Sequence, residues 1–213
     1  MTRIAAYLAL TISLACILAA PAASAERTLR LVAVGDSLTA GYGLPAKDSF
    51  PAQLEALLRQ RGLDVQLINA GVSGDTTSGG LARFDWSVPE GTDGVILELG
   101  ANDALRGLDP VSAEKALDVM LSRLKERRIP VLLAGMYAPR NLGPEYVTAF
   151  DAIYPRLAEK YGTVFYPFFL EGMMGVPALD LGDGLHPNAE GVGVIARGIL
   201  PKVEELITRI RQR

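Results

Sequence analysis

Five short apolar runs alternate with longer stretches of helical spacing along this chain. The runs cover residues 29–34, 65–69, 94–99, 130–135 and 164–167. They are continuous rather than alternating, the pattern of strands buried on both faces. Between the first two runs, Phe50, Leu54, Leu57 and Leu58 recur at helical spacing, and Gly62 supplies a stop. After the third, Asp109-Pro110 reads as a helix N-cap and first helical residue. Ala113, Ala116, Leu117, Met120, Leu121 and Leu124 then mark one helical face. Phe150, Ile153, Tyr154 and Leu157 do the same after the fourth run, where Pro155 is expected to kink the helix. The last stretch places Val192, Ile195, Ala196, Ile199, Val203, Leu206, Ile207 and Ile210 on one face, with Pro201 inside. Strands alternating with helices predict a parallel sheet covered on both sides. Right-handed crossovers then favour a three-layer, flavodoxin-like α/β sandwich with strand order 2-1-3-4-5.

That order makes strands 2, 1 and 3 neighbours, so their carboxyl ends open onto one crevice. Three polar turns follow these strands at once: Gly35-Asp36-Ser37, Gly71-Val72-Ser73-Gly74-Asp75 and Gly100-Ala101-Asn102-Asp103. Each alone is ordinary turn chemistry. Together they bring glycine backbones, which a ligand can approach closely, and the Asn102 amide donor to one place. N–H donors converging on one point are what an oxyanion hole requires. Ser37 is the candidate nucleophile.

The chain contains a single histidine, His186, in Asp183-Gly184-Leu185-His186-Pro187-Asn188 before the final helix. A serine nucleophile needs a base that works near neutral pH, and histidine is the usual one. Asp183 lies three residues earlier, where a short turn brings its carboxylate to the imidazole. Strand 5 lies about 14 Å from strand 1 in this order. The long segment 168–185 is enough to span that gap, so geometry permits the contact without requiring it.

Composition narrows the alternatives. Arg3, the apolar stretch 4–18, Pro21 and Ala23-Ser24-Ala25 form the pattern of an export signal removed after Ala25. A membrane anchor is the competing reading, but the apolar stretch is short for a span. Residues 26–213 are expected to form one domain. The only cysteine, Cys16, lies in the leader, where Ser13-Leu14-Ala15-Cys16 faintly resembles a lipoprotein cleavage box. The mature chain therefore has no cysteine for a disulfide or a thiolate metal site. The leader holds one of 21 basic residues and none of 24 acidic ones, leaving the mature chain at −4. No basic block marks a nucleic-acid surface, and no other segment is long enough to span a bilayer. Gly-x-Ser-x-Gly, a Walker loop and a dinucleotide fingerprint are all absent. One histidine rules out a multi-histidine zinc site, while composition leaves a carboxylate-only metal site open.

The ordered blocks Gly35-Asp36-Ser37-Leu38, Gly74, Gly100-x-Asn102-Asp103 and Asp183-x-x-His186 resemble those of the SGNH/GDSL hydrolases across nearly the whole mature domain. Longer strings, such as Gly35-Asp36-Ser37-Leu38-Thr39-Ala40-Gly41-Tyr42 and Leu97-Glu98-Leu99-Gly100-x-Asn102-Asp103-x-Leu105-Arg106-Gly107, resemble its bacterial exported thioesterase, arylesterase and lysophospholipase branch. The resemblance implies Ser37 as nucleophile, His186 as base and Asp183 as its orienting acid. It implies an oxyanion hole made by the Ser37 and Gly74 N–H groups and the Asn102 side chain. It also implies small acyl ester and thioester substrates, including lysophospholipids, with no metal or cofactor. An acyl chain needs an apolar groove, for which Leu105, Met136, Tyr137 and Leu185 are the candidates. Residues 168–170 with Met173 and Met174 are further ones. A monomer in the periplasm, or secreted, is expected. Acyl transfer, carbohydrate deacetylation and a non-catalytic binding module on the same fold are the rival readings.

Overall fold

The computed structural model describes residues 27–213. The expected leader and its cleavage site lie outside the described residues. Strand β1 (Leu29–Gly35) runs into a single helical turn, α1 (Ser37–Ala40), and then α2 (Phe50–Gln60) leads to β2 (Val65–Gly71). Helices α3 (Thr77–Ala82) and α4 (Phe84–Ser87) precede β3 (Gly94–Glu98). Helices α5 (Ala101–Leu105) and α6 (Pro110–Glu126) precede β4 (Val131–Ala134). Helices α7 (Pro144–Asp151) and α8 (Ile153–Tyr161) precede the short β5 (Val164–Tyr166), and α9 (Ala189–Arg211) closes the chain.

All four strand pairs are parallel, in the order β2-β1-β3-β4-β5. The three-layer sandwich read from the alternating pattern is therefore the fold. Helices α2 and α9 pack together on one face, and α3, α6 and α8 cover the other. The central strands are buried on both sides because their runs are apolar throughout: Leu31, Val32, Ala33, Val34, Val95, Ile96 and Leu97 are all shielded from water.

One detail departs from the sequence reading. Pro155 does not kink one long helix; the segment splits into α7 and α8 at Ala152. Proline then occupies the third position of α8, where an N–H has no intrahelical acceptor to lose. Pro201 stays inside an unbroken α9. No helix among the described residues is long and apolar enough to cross a membrane.

Candidate active site

The first strand ends in Gly35 because nothing larger fits. A Cβ there would collide with Thr39 Oγ1 and with Glu98 of the neighbouring β3. Asp36 then caps α1, its Oδ1 accepting the Leu38 N–H at 3.0 Å. Ser37 is the first residue of that turn and is nearly buried, at 8 % exposure. The turn thus projects its hydroxyl at the carboxyl edge of the sheet, where open α/β folds bind ligands.

His186 arrives from the loop after β5. Its Nε2 lies 3.0 Å from Ser37 Oγ, although 149 residues separate them in sequence. Its Nδ1 lies 2.6 Å from Asp183 Oδ2. The other Asp183 oxygen accepts the backbone N–H groups of Leu185 at 2.9 Å and His186 at 2.8 Å. These bonds, first the His186 N–H and then its ring, hold the Asp183 carboxyl well below the usual carboxylate range. An ionised Asp183 can only accept, so Nδ1 carries a proton, and the lone pair of a neutral imidazole then falls on Nε2, facing the Ser37 hydroxyl. The loop is clamped from behind. Asp180 bridges Pro187, Leu181 N–H donates to the His186 carbonyl, and the Asn188 amide donates to Ala178 O while its Oδ1 caps α9.

The predicted oxyanion donors converge on the same crevice. Gly74 adopts φ +87°, which a side chain would strain. Among the described residues, neither the Ser37 nor the Gly74 N–H has an acceptor. Asn102 differs from the expectation of a free donor. Its Nδ2 already donates to Asp75 O at 2.9 Å and to Asp36 Oδ2 at 3.2 Å. Asp36 therefore links the turn carrying Ser37 to the Asn102 amide. Arg83 ties the same corner together through Asp75 (2.6 Å), Ala70 O (2.8 Å) and Gly35 O (2.9 Å).

Beneath the turn lies an acid that the motif reading gave no role. Glu98 is completely buried, and Oε2 accepts from Thr39 Oγ1 at 2.7 Å and from Asp36 N–H at 3.4 Å. Oε1 has no partner. Burial, reinforced by Asp36 nearby, raises the Glu98 pKa well above the ordinary carboxyl range, which favours its protonated form. Burial also lifts Asp36 to about 6, against the opposing pull of Leu38 N–H, Asn102 and His186. Tyr42 is a second addition: its ring centroid stands 4.5 Å from that of His186. Its backbone N–H donates to Ser37 O at 3.1 Å, which fixes the ring relative to the serine.

Ser37 and His186 open onto a cavity of about 650 Å³ whose walls include Leu105, Met136, Tyr137 and Leu185, together with Phe168, Leu170 and Met174. Phe169 and Met173, from the same stretch, instead pack into the core. The period-free loop 168–174 gave no means of telling these two sets apart. Residues 33–194 match the model of the GDSL-like lipase/acylhydrolase family. This chain belongs to that family. It is 39% identical over 189 residues to an arylesterase of Vibrio mimicus, covering 88% of this chain and 93% of the relative. It is 35% identical over 178 residues to thioesterase 1/protease 1/lysophospholipase L1 of Escherichia coli K12, covering 83% and 84%. Among solved structures, AlinE4, an SGNH-hydrolase family esterase, superposes with a TM-score of 0.72 at 46% identity, over 85% of this chain and 98% of that one.

Proposed function

We propose that this GDSL-family protein hydrolyses carboxylic esters and acyl thioesters through an acyl-enzyme on Ser37. The observation that carries this reading is the unbroken relay Ser37 Oγ–His186 Nε2–Asp183 at 3.0 and 2.6 Å, standing at the mouth of an apolar cavity. The names of the relatives, arylesterase and thioesterase among them, support the same substrate classes.

In the first step the Ser37 oxygen attacks the acyl carbonyl carbon and its proton passes to His186 Nε2. Asp183, held ionised, stabilises the imidazolium that forms. The developing oxyanion takes hydrogen bonds from the Ser37 and Gly74 N–H groups and from Asn102. Asn102 keeps its bond to Asp36, which orients the amide, and the oxyanion shares that N–H. Collapse breaks the carbonyl carbon–leaving-group bond, and the alcohol or thiol departs with the proton from Nε2. Water then attacks the acyl-enzyme, returning a proton through Nε2, and the free acid leaves. The apolar cavity holds the acyl chain. The N-terminal charged, apolar and Ala-x-Ala pattern supports export of the mature chain to the periplasm or beyond.

The test is a chain-length series of p-nitrophenyl esters and acyl thioesters on wild type and Ser37→Ala. The wild type is expected to turn over both classes, and Ser37→Ala to lose turnover by several orders of magnitude with an unchanged circular dichroism spectrum. Near-normal rates in clean Ser37→Ala would remove the acyl-enzyme.

A further inference from the structure

The cavity lies to one side of Ser37. Its walls come from α5 and from the loops after β4 and β5, all towards the β5 edge of the sheet. An ester carbonyl at Ser37 has two arms. Once the acyl arm fills this cavity, the leaving-group arm must run the other way, over the loop that follows β2. That side is open, with Val72, Ser73 and Gly74 all exposed.

Arg106 stands on this side. Its Nη2 donates to Gly74 O at 3.0 Å, and it is the nearest group to where a Gly74 side chain would begin, at 3.8 Å. Arg106 is exposed and makes no close ion pair among the described residues, although the Asp103 carboxylate is near enough to feel its charge. The surrounding carboxylates are already engaged. Asp75 is paired with Arg83 at 2.6 Å, and Asp103 is buried against the Thr77 N–H and hydroxyl at 2.8 and 2.7 Å. Most of a guanidinium fork is therefore unmatched beside a candidate oxyanion donor, in a chain of net negative charge. A fork of this kind suits the oxygens of a phosphate group.

We propose that Arg106 is a specificity-determining residue, which selects esters whose leaving group carries a phosphate only a few bonds from the scissile oxygen, as an acylated glycerophosphate does. The inference rests on the ester-hydrolase reading. The phosphates of coenzyme A stand much farther along a flexible arm, beyond the turn that Arg106 borders, and are not expected to be read by it.

The experiment compares kcat/KM for a 1-acyl-glycerophosphoglycerol and the neutral 1-acylglycerol of the same chain length, both below micelle formation. Wild type, Arg106→Gln and Arg106→Lys are assayed. The anionic-to-neutral ratio is expected to fall roughly tenfold in Arg106→Gln and to be largely kept in Arg106→Lys. Salt should erode the ratio in wild type and leave it flat in Arg106→Gln. An equal loss on both substrates would reduce Arg106 to a brace for the Gly74 turn and overturn the proposal. So would an equally large fall for acyl-coenzyme A relative to a short neutral thioester. Hydrolysis of both glycerol esters that survives Ser37→Ala would remove the Ser37 acyl-enzyme, and no hydrolysis of either by wild type would sink the ester-hydrolase reading itself, results distinct from either of these.

Discussion

Asp36→Asn separates the two duties of a buried acid. In the wild type one carboxylate oxygen caps α1 through Leu38 N–H, and the other receives the Asn102 amide. The amide in the variant can keep the first bond with its oxygen, but it then presents an NH₂ to Asn102 Nδ2. Two donors 3.2 Å apart replace a charge-assisted bond. Losing such a bond costs about 1.5–3 kcal/mol, so if it orients Asn102, kcat should fall about 10- to 100-fold. Stability should respond in another way. Burial raises the Asp36 pKa from 3.8 to about 6, so its proton binds more tightly in the folded than in the unfolded state. The native state is thus favoured fully below pH 4 and loses that advantage as pH rises through 6. The difference is worth about 3 kcal/mol. Asn carries no charge and escapes the loss. Relative to wild type, Asp36→Asn should therefore gain about 6–12 °C in Tm between pH 4 and pH 8, for a domain of this size. The assays are kcat on p-nitrophenyl butyrate and thermal melts at both pH values. Full kcat would show that Asp36 does not hold Asn102. A Tm difference equal at the two pH values would show that no buried charge is being relieved.

Two further outcomes follow from the same geometry. Asn102→Ala should lower kcat by about 10²–10³ with a smaller change in KM; a rise in KM at constant kcat would make Asn102 a ground-state contact instead. Tyr42→Ala should reduce kcat roughly two- to fivefold, the worth of an exposed aromatic face on an imidazolium. Tyr42→Phe should retain it, and a matching loss in Phe would assign the effect to the hydroxyl.

Hydrophobic periodicity by itself determined the layers, the strand order and the edge of the sheet at which chemistry sits. Short apolar runs bounded by turn residues favour buried strands, and right-handed crossovers leave few ways to order them. The single histidine and the Gly-Asp-Ser turn pointed to each other because a serine hydroxyl needs a base and the chain offers one imidazole. Glu98 carried a signal as well, being the one acid inside the apolar run 94–99. The remaining features exist only in the folded chain. The 3.0 Å approach of His186 to Ser37 depends on how the loop after β5 is clamped by Asn188 and the Asp180–Pro187 bridge. Which of Phe168, Phe169, Met173 and Met174 line the cavity depends on side-chain direction in a segment without regular period. The engagement of Asn102 by Asp36, the buried acid under the turn and the open flank at Arg106 join residues from different strands and loops. Contacts of that kind come from packing in three dimensions, and a local pattern of polar and apolar positions does not encode them.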